Sequence, residues 1–171
     1  LMLSPQYIVA DEPVSMIDAS SRAEIINLMR DLQEQFKIAF LYITHDIATV
    51  RHFSHRIAVM YLGRIVEMGL PENIIQESLH PYTRALIASV PEPDATNRLR
   101  ERDIVSGEPP SLINAPLGCS FHPRCPHFIP GLCDVAVPLL GEIRPGHSVA
   151  CHLYTNEGEI QPDIKGYEGI R

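Results

Sequence analysis

The chain has 171 residues, 45% of them hydrophobic and 20% charged, with 14 Lys and Arg against 21 Asp and Glu. That length holds one domain, or one domain and a small appendage. The net charge of −7 argues against a nucleic-acid surface, which needs clustered cations, and no apolar run approaches the roughly 20 residues that span a bilayer.

The opening Leu1-Met2-Leu3-Ser4-Pro5 lacks the basic segment and the long apolar segment of a signal peptide. Any membrane association is therefore expected to go through a partner. The first residue is Leu, and a strand follows within a few residues, so the chain reads as one that starts inside a domain. Of the fifteen prolines, most lie beyond residue 90, which marks a change of architecture near Val90.

Tyr7-Ile8-Val9-Ala10 runs without alternation into Asp11-Glu12-Pro13. Such a run suits a parallel strand covered on both faces. The two acids then sit where open α/β sheets bind ligands, past the carboxyl end of a strand. One carboxylate can hold Mg²⁺ through its waters, and the next can polarise an attacking water. Taken alone, the two acids fit a strand ending in a solvated turn equally well. Asp18 or Ser21 can cap a helix over about Ala19 to Phe36, and Ser21 with Glu24 has capping-box spacing. Ile25, Leu28, Met29, Leu32 and Phe36 recur at helical spacing and predict its packing face.

Ile38–Ile43 is a second apolar run, read as another buried parallel strand, and it ends in Thr44-His45-Asp46. Strand, helix and strand make a right-handed crossover. That connection places His45 near Asp11 and Glu12, where imidazole can donate to a phosphate oxygen. A short helix over Ile47–Ser54 follows. Arg56–Tyr61 and Arg64–Met68 read as strands about a Leu62-Gly63 turn, the second an edge. Pro71 is placed to open a helix to about Ser78, and His80-Pro81-Tyr82 opens another. Residues 91–118 read as a linker and 155–171 as a mobile tail.

Cys119, Cys125, Cys133 and Cys151 are spaced C-x5-C-x7-C-x17-C in a stretch rich in Pro and Gly. Clustered cysteines in a chain without a secretory signal suggest four thiolate ligands to a metal. Such a segment has few helix or strand formers, so a metal could supply its core. The wide intervals suit an iron–sulfur cluster better than zinc, although His122, His127, His147 and His152 could serve zinc. Free thiols or two disulfides are the alternative.

Taken together, these residues resemble the C-terminal half of an ABC transporter ATPase subunit. Tyr7–Pro13 is similar to the Walker B strand with its catalytic glutamate, Ser15-Met16-Ile17-Asp18 to the D-loop, and His45 to the switch histidine. His80–Leu86, Gly107-Glu108-Pro109-Pro110 and Cys119–Pro126 resemble the C-terminal extension of oligopeptide and dipeptide importer ATPases. The resemblance implies a partial P-loop NTPase α/β sheet over 1–90, a linker over 91–118, and a small irregular four-Cys extension over 119–154. No G-x-x-x-x-G-K-S/T loop, LSGGQ signature or Gln-bearing loop occurs in the sequence. The chain is therefore expected to be a fragment, inactive alone.

The resemblance further implies roles for the residues that match. Glu12 and His45 would be catalytic, and Asp11 would hold Mg²⁺ beside ATP. Ser15 and Asp18 would lie at a dimer seam. Cys119, Cys125, Cys133 and Cys151 would hold a four-iron, four-sulfur (4Fe-4S) cluster, or alternatively Zn²⁺. The implied partners are a second ABC ATPase subunit, two permease subunits and, indirectly, an extracytoplasmic peptide-binding protein, with no nucleic acid. The implied place is the cytoplasmic face of the membrane and the implied work is peptide uptake. A non-transport ABC ATPase of the DNA-repair type, or a stand-alone metal-binding regulatory module, are the alternatives.

Overall fold

The computed structural model describes residues 5–51, 53–90, 107–111 and 113–154. The expected tail and most of the expected linker lie outside them. The chain forms two compact units, residues 1–54 and 55–171.

The first unit holds β1 (Tyr7–Asp11), α1 (Ala19–Phe36), β2 (Ala39–Ile43) and the short α2 (Ile47–Val50). β1 and β2 pair in parallel, with Tyr7 opposite Ala39 and Asp11 opposite Ile43. The strand ends are thus level, as the crossover reading expects. Asp18 caps α1 by accepting from the N–H groups of Ser20 and Ser21, so the capping-box alternative at Ser21 is not used. Lys37 ends the helix in the left-handed conformation, with φ 54°.

Two expectations are corrected here. The strands are not covered on both faces: Tyr7, Val9, Leu41 and Ile43 are 69, 53, 58 and 46% exposed. Period-2 geometry puts all four on one face of the ribbon, and nothing among the described residues covers it. On α1 the inward stripe centres on Met29, whereas Leu28 and Phe36 are more than half exposed. Apolar spacing found the helix but overstated the width of its buried face.

The second unit is a four-stranded antiparallel sheet in the order β3-β4-β6-β5. β3 (Ile57–Tyr61) and β4 (Arg64–Gly69) form the expected hairpin. β4 is not an edge strand, because β6 (His147–Val149) pairs with its other side. β5 (Gly141–Arg144) closes the sheet through a turn at Pro145-Gly146, where Gly146 has φ 72°. Proline followed by a glycine of positive φ is the pattern of a type II turn. The four-Cys extension over 119–154, expected to be irregular, therefore contains two strands between Cys133 and Cys151. Between these strands lie α3 (Pro71–Gln76) and α4 (Pro81–Ala88), each opened by the predicted proline.

Phe121 anchors the second unit. It is 1% exposed and meets the rings of Tyr61, Tyr82 and His80 at centroid distances of 5.3, 5.5 and 5.7 Å. Burying a phenylalanine contributes up to about 3 kcal/mol, with each well-placed ring pair adding about 0.5–1.5 kcal/mol. The cysteine loop is thus held to β3 and α4 by an aromatic plug.

Candidate active site

The site at the strand ends is built on a turn with unusual backbone. Glu12 follows β1 with φ 45°, a left-handed conformation rare outside glycine. Its N–H donates to the Ile43 carbonyl at 2.9 Å, which locks the end of β1 to the end of β2. Its own carbonyl accepts from the Ser15 N–H and hydroxyl at 3.2 and 3.0 Å. The side chain is thereby turned toward β2. There its Oε1 lies 2.6 Å from Nδ1 of His45 and accepts from the His45 N–H at 3.0 Å. Thr44 Oγ1 lies 3.5 Å from Oε2.

The His45 ring first, and its backbone N–H after it, hold the Glu12 carboxyl below the usual carboxylate range despite some desolvation. Glu12 is therefore an ionised acceptor, and Nδ1 of His45 donates to it. The imidazole, 81% exposed, keeps Nε2 available for another group. Asp11 is exposed beside this pair. A strand-end carboxylate, a neighbouring ionised carboxylate and an exposed imidazole suit a hydrated Mg²⁺ and a phosphate.

Ser15 and Asp18 take local roles. The Ser15 hydroxyl closes the turn on Glu12. The Asp18 carboxyl is held well below its ordinary range by the Ser20 hydroxyl and then by Ser21, as befits a helix cap.

Sequence reasoning missed the residues that brace this turn. The Asp46 carboxylate caps α2, accepting from Thr49 N–H and Oγ1, while the Asp46 N–H donates to Thr44 Oγ1 at 3.1 Å. Arg22 on α1 pairs with Asp46 Oδ2 at 3.0 Å and reaches the Ile17 carbonyl at 3.4 Å. An ion pair this accessible contributes about 1 kcal/mol or less to stability. The only hint in the sequence was a charged residue four positions after a helix cap.

The second unit holds a buried carboxylate that was also missed. Glu67 on β4 is fully enclosed. It accepts from the N–H groups of Leu79 and His80 at 2.7 and 2.9 Å and from His147 Nε2 at 2.7 Å. Burial pushes its carboxyl up. The donors, with the Thr83 hydroxyl beside them, outweigh that and leave it below the ordinary value. His80 in turn caps α4 through Nδ1, 3.0 Å from the Tyr82 N–H.

The four cysteines share one neighbourhood. The Cys119 N–H donates to the Cys133 carbonyl at 2.8 Å. Gly118 makes this approach available: it has φ +68°, and a Cβ there would sit 2.4 Å from the Cys133 oxygen. Burial first, and neighbouring thiols after it, push Cys125 up to about 11 and Cys151 up to about 12. Four thiols are soft donors whose chemistry suits a metal centre. The expected centre on Cys119, Cys125, Cys133 and Cys151 is nevertheless not drawn together. All four are free thiols, and no group of three or more metal-ligating side chains forms among the described residues. Three of the histidines considered for zinc are engaged elsewhere: His122 with the Cys119 carbonyl, His147 with Glu67 and His152 with the Ala136 carbonyl.

Among the described residues no helix is long and apolar enough to cross a membrane. Residues 66–133 match the family described as "Oligopeptide/dipeptide transporter, C-terminal region". Over 157 residues the chain is 48% identical to a putative oligopeptide transport ATP-binding protein, YkfD, of Bacillus subtilis, which covers 91% of the chain and 47% of that relative. The oligopeptide transport ATP-binding protein AppF of the same species is 47% identical over 156 residues, with the same coverage of each. A putative peptide import ATP-binding protein of Brucella ovis is 48% identical over 151 residues, 88% of the chain and 47% of the relative. The chain thus spans about half the length of the curated relatives it matches. It resembles peptide-transport ATP-binding proteins along most of its own length, and its residues 66–133 are similar to the C-terminal region of the oligopeptide/dipeptide transporter family.

Proposed function

We propose that the chain is the C-terminal part of the ATP-hydrolysing subunit of a peptide importer of the ABC type. The observation that carries this reading is the Glu12–His45 pair, 2.6 Å apart at neighbouring parallel strand ends and directly after Asp11. Similarity to peptide import ATP-binding proteins supports it, and favours it over a DNA-repair type of ABC ATPase.

Asp11 is the residue to hold Mg²⁺ through a water, and the metal would supply charge neutralisation at the phosphates. Glu12, ionised and fixed by His45, orients or deprotonates the attacking water. His45 offers Nε2 to the transferred phosphate and stabilises its charge. Ser15 and Asp18 sit on the turn that would face a second ATPase subunit. In this reading residues 1–90 belong to a P-loop NTPase domain, and peptide uptake runs through two permease subunits that hold the protein at the cytoplasmic face. The cysteine loop over 119–154 would take a 4Fe-4S cluster, held by Cys119, Cys125, Cys133 and Cys151 as thiolates whose protons are released to solvent.

The test joins the first half of a relative to this chain, assembles it with a permease, and measures ATP turnover. Glu12→Gln should lower turnover at least roughly a hundredfold, the lower range for losing a positioned base, while nucleotide still binds. Turnover that survives Glu12→Gln would overturn the reading.

A further inference from the structure

The structure assigns Arg22 as a positioning residue that ties the histidine loop to the turn between β1 and α1. This rests on the function proposed above, because it supposes that Glu12 and His45 act on ATP.

One guanidinium serves both loops. One of its terminal nitrogens meets Asp46 Oδ2 at 3.0 Å, and the other reaches the Ile17 carbonyl at 3.4 Å. Ile17 directly precedes Asp18, so this arm fixes the entry to α1 from the Ser15–Asp18 turn. Asp46 directly follows His45. It is fixed from three sides, by Arg22, by Thr49 and through its own N–H by Thr44. His45 therefore projects from a loop braced at both neighbours, with its own N–H held by Glu12. Removing Arg22 frees one side of Asp46 and the Ile17 carbonyl together.

A second observation separates this from ordinary surface pairing. Arg22 Nε is buried and has no hydrogen-bond partner. The side chain thus leaves a donor unsatisfied in order to reach both loops. Local violations of polar satisfaction concentrate where geometry serves function. The arrangement predicts that movement of the turn, as when a second subunit meets it, is passed to His45 through one rigid, planar group. Lysine could keep the pair with Asp46 but cannot fork to Ile17 as well.

The test uses the same assembled transporter. Arg22→Ala should lower kcat roughly ten- to a hundredfold, the scale expected of a misplaced catalytic group. Nucleotide affinity and melting temperature should stay near the parent's. Arg22→Lys should recover only part of the rate, and Asp46→Asn combined with Arg22→Ala should cost little more than either alone. A parent-like kcat in Arg22→Ala, or full recovery by lysine, would overturn the assignment, as would a fall in melting temperature and nucleotide affinity that matches the fall in rate. If Glu12→Gln is itself active, the proposed function fails first. If Glu12→Gln is inactive while Arg22→Ala is parent-like, only the role of Arg22 fails.

Discussion

His80 shows how a buried residue makes the second unit sensitive to acid. Burial, and after it the Arg84 charge, lower its pKa from 6.5 to about 4, against the opposing pull of Glu67. The unfolded chain therefore takes up a proton in a range where the folded chain does not. Stability is full above about 6.5 and falls as the pH drops toward about 4. Glu67 acts lower: its stabilising charge is lost as pH falls through a folded pKa below 4.5. Hydrogen exchange of the α4 and β6 amides should record both windows. His80→Asn keeps an acceptor for the Tyr82 N–H and should flatten only the upper one, and an unchanged slope would show that His80 is not its source. At this scale the sequence revealed Glu12 and His45, because each ends an apolar run. It concealed Glu67, whose donors come from residues 12, 13 and 80 positions away. An alternating Val66-Glu67-Met68 reads as an exposed acid on an edge strand until a further strand is known to pair with it.

Elements were legible where their signals are local. α1 begins and ends where its cap and apolar spacing place it, and α3 and α4 open at their prolines. The hairpin of β3 and β4 follows from two apolar runs about a glycine. β5 and β6 were not foreseen, although Pro145-Gly146 between short alternating stretches was their signal. The cysteines masked it by inviting a reading of metal and coil alone. At the cysteine loop, anaerobic reconstitution of the chain with iron and sulfide should produce the broad visible absorbance of a thiolate-bound cluster. Gly118→Ala should abolish that colour, since its Cβ cannot share space with the Cys133 carbonyl. A colourless protein with one equivalent of zinc would replace the cluster with the alternative metal.

The first unit leaves an apolar face bare. A two-stranded ribbon with Tyr7, Val9, Leu41 and Ile43 on its open face exposes surface that soluble proteins ordinarily cover. The chain alone should therefore self-associate with rising concentration, and it should not turn over ATP, because its sequence holds no phosphate loop. Sedimentation showing a monomer at every concentration would contradict the first expectation, and Glu12-dependent turnover the second. The second unit has a different character. Its sheet joins strands that precede the first cysteine to strands that lie between Cys133 and Cys151, and its buried carboxylate is answered by a histidine eighty positions along the chain. Cutting the cysteine segment away would thus strip β4 of a neighbour and take from Glu67 its histidine partner. Such a segment cannot be traded between proteins like a detachable tag. A protein without it would leave Glu67 lacking its histidine, so the segment and position 67 are expected to be gained and lost together.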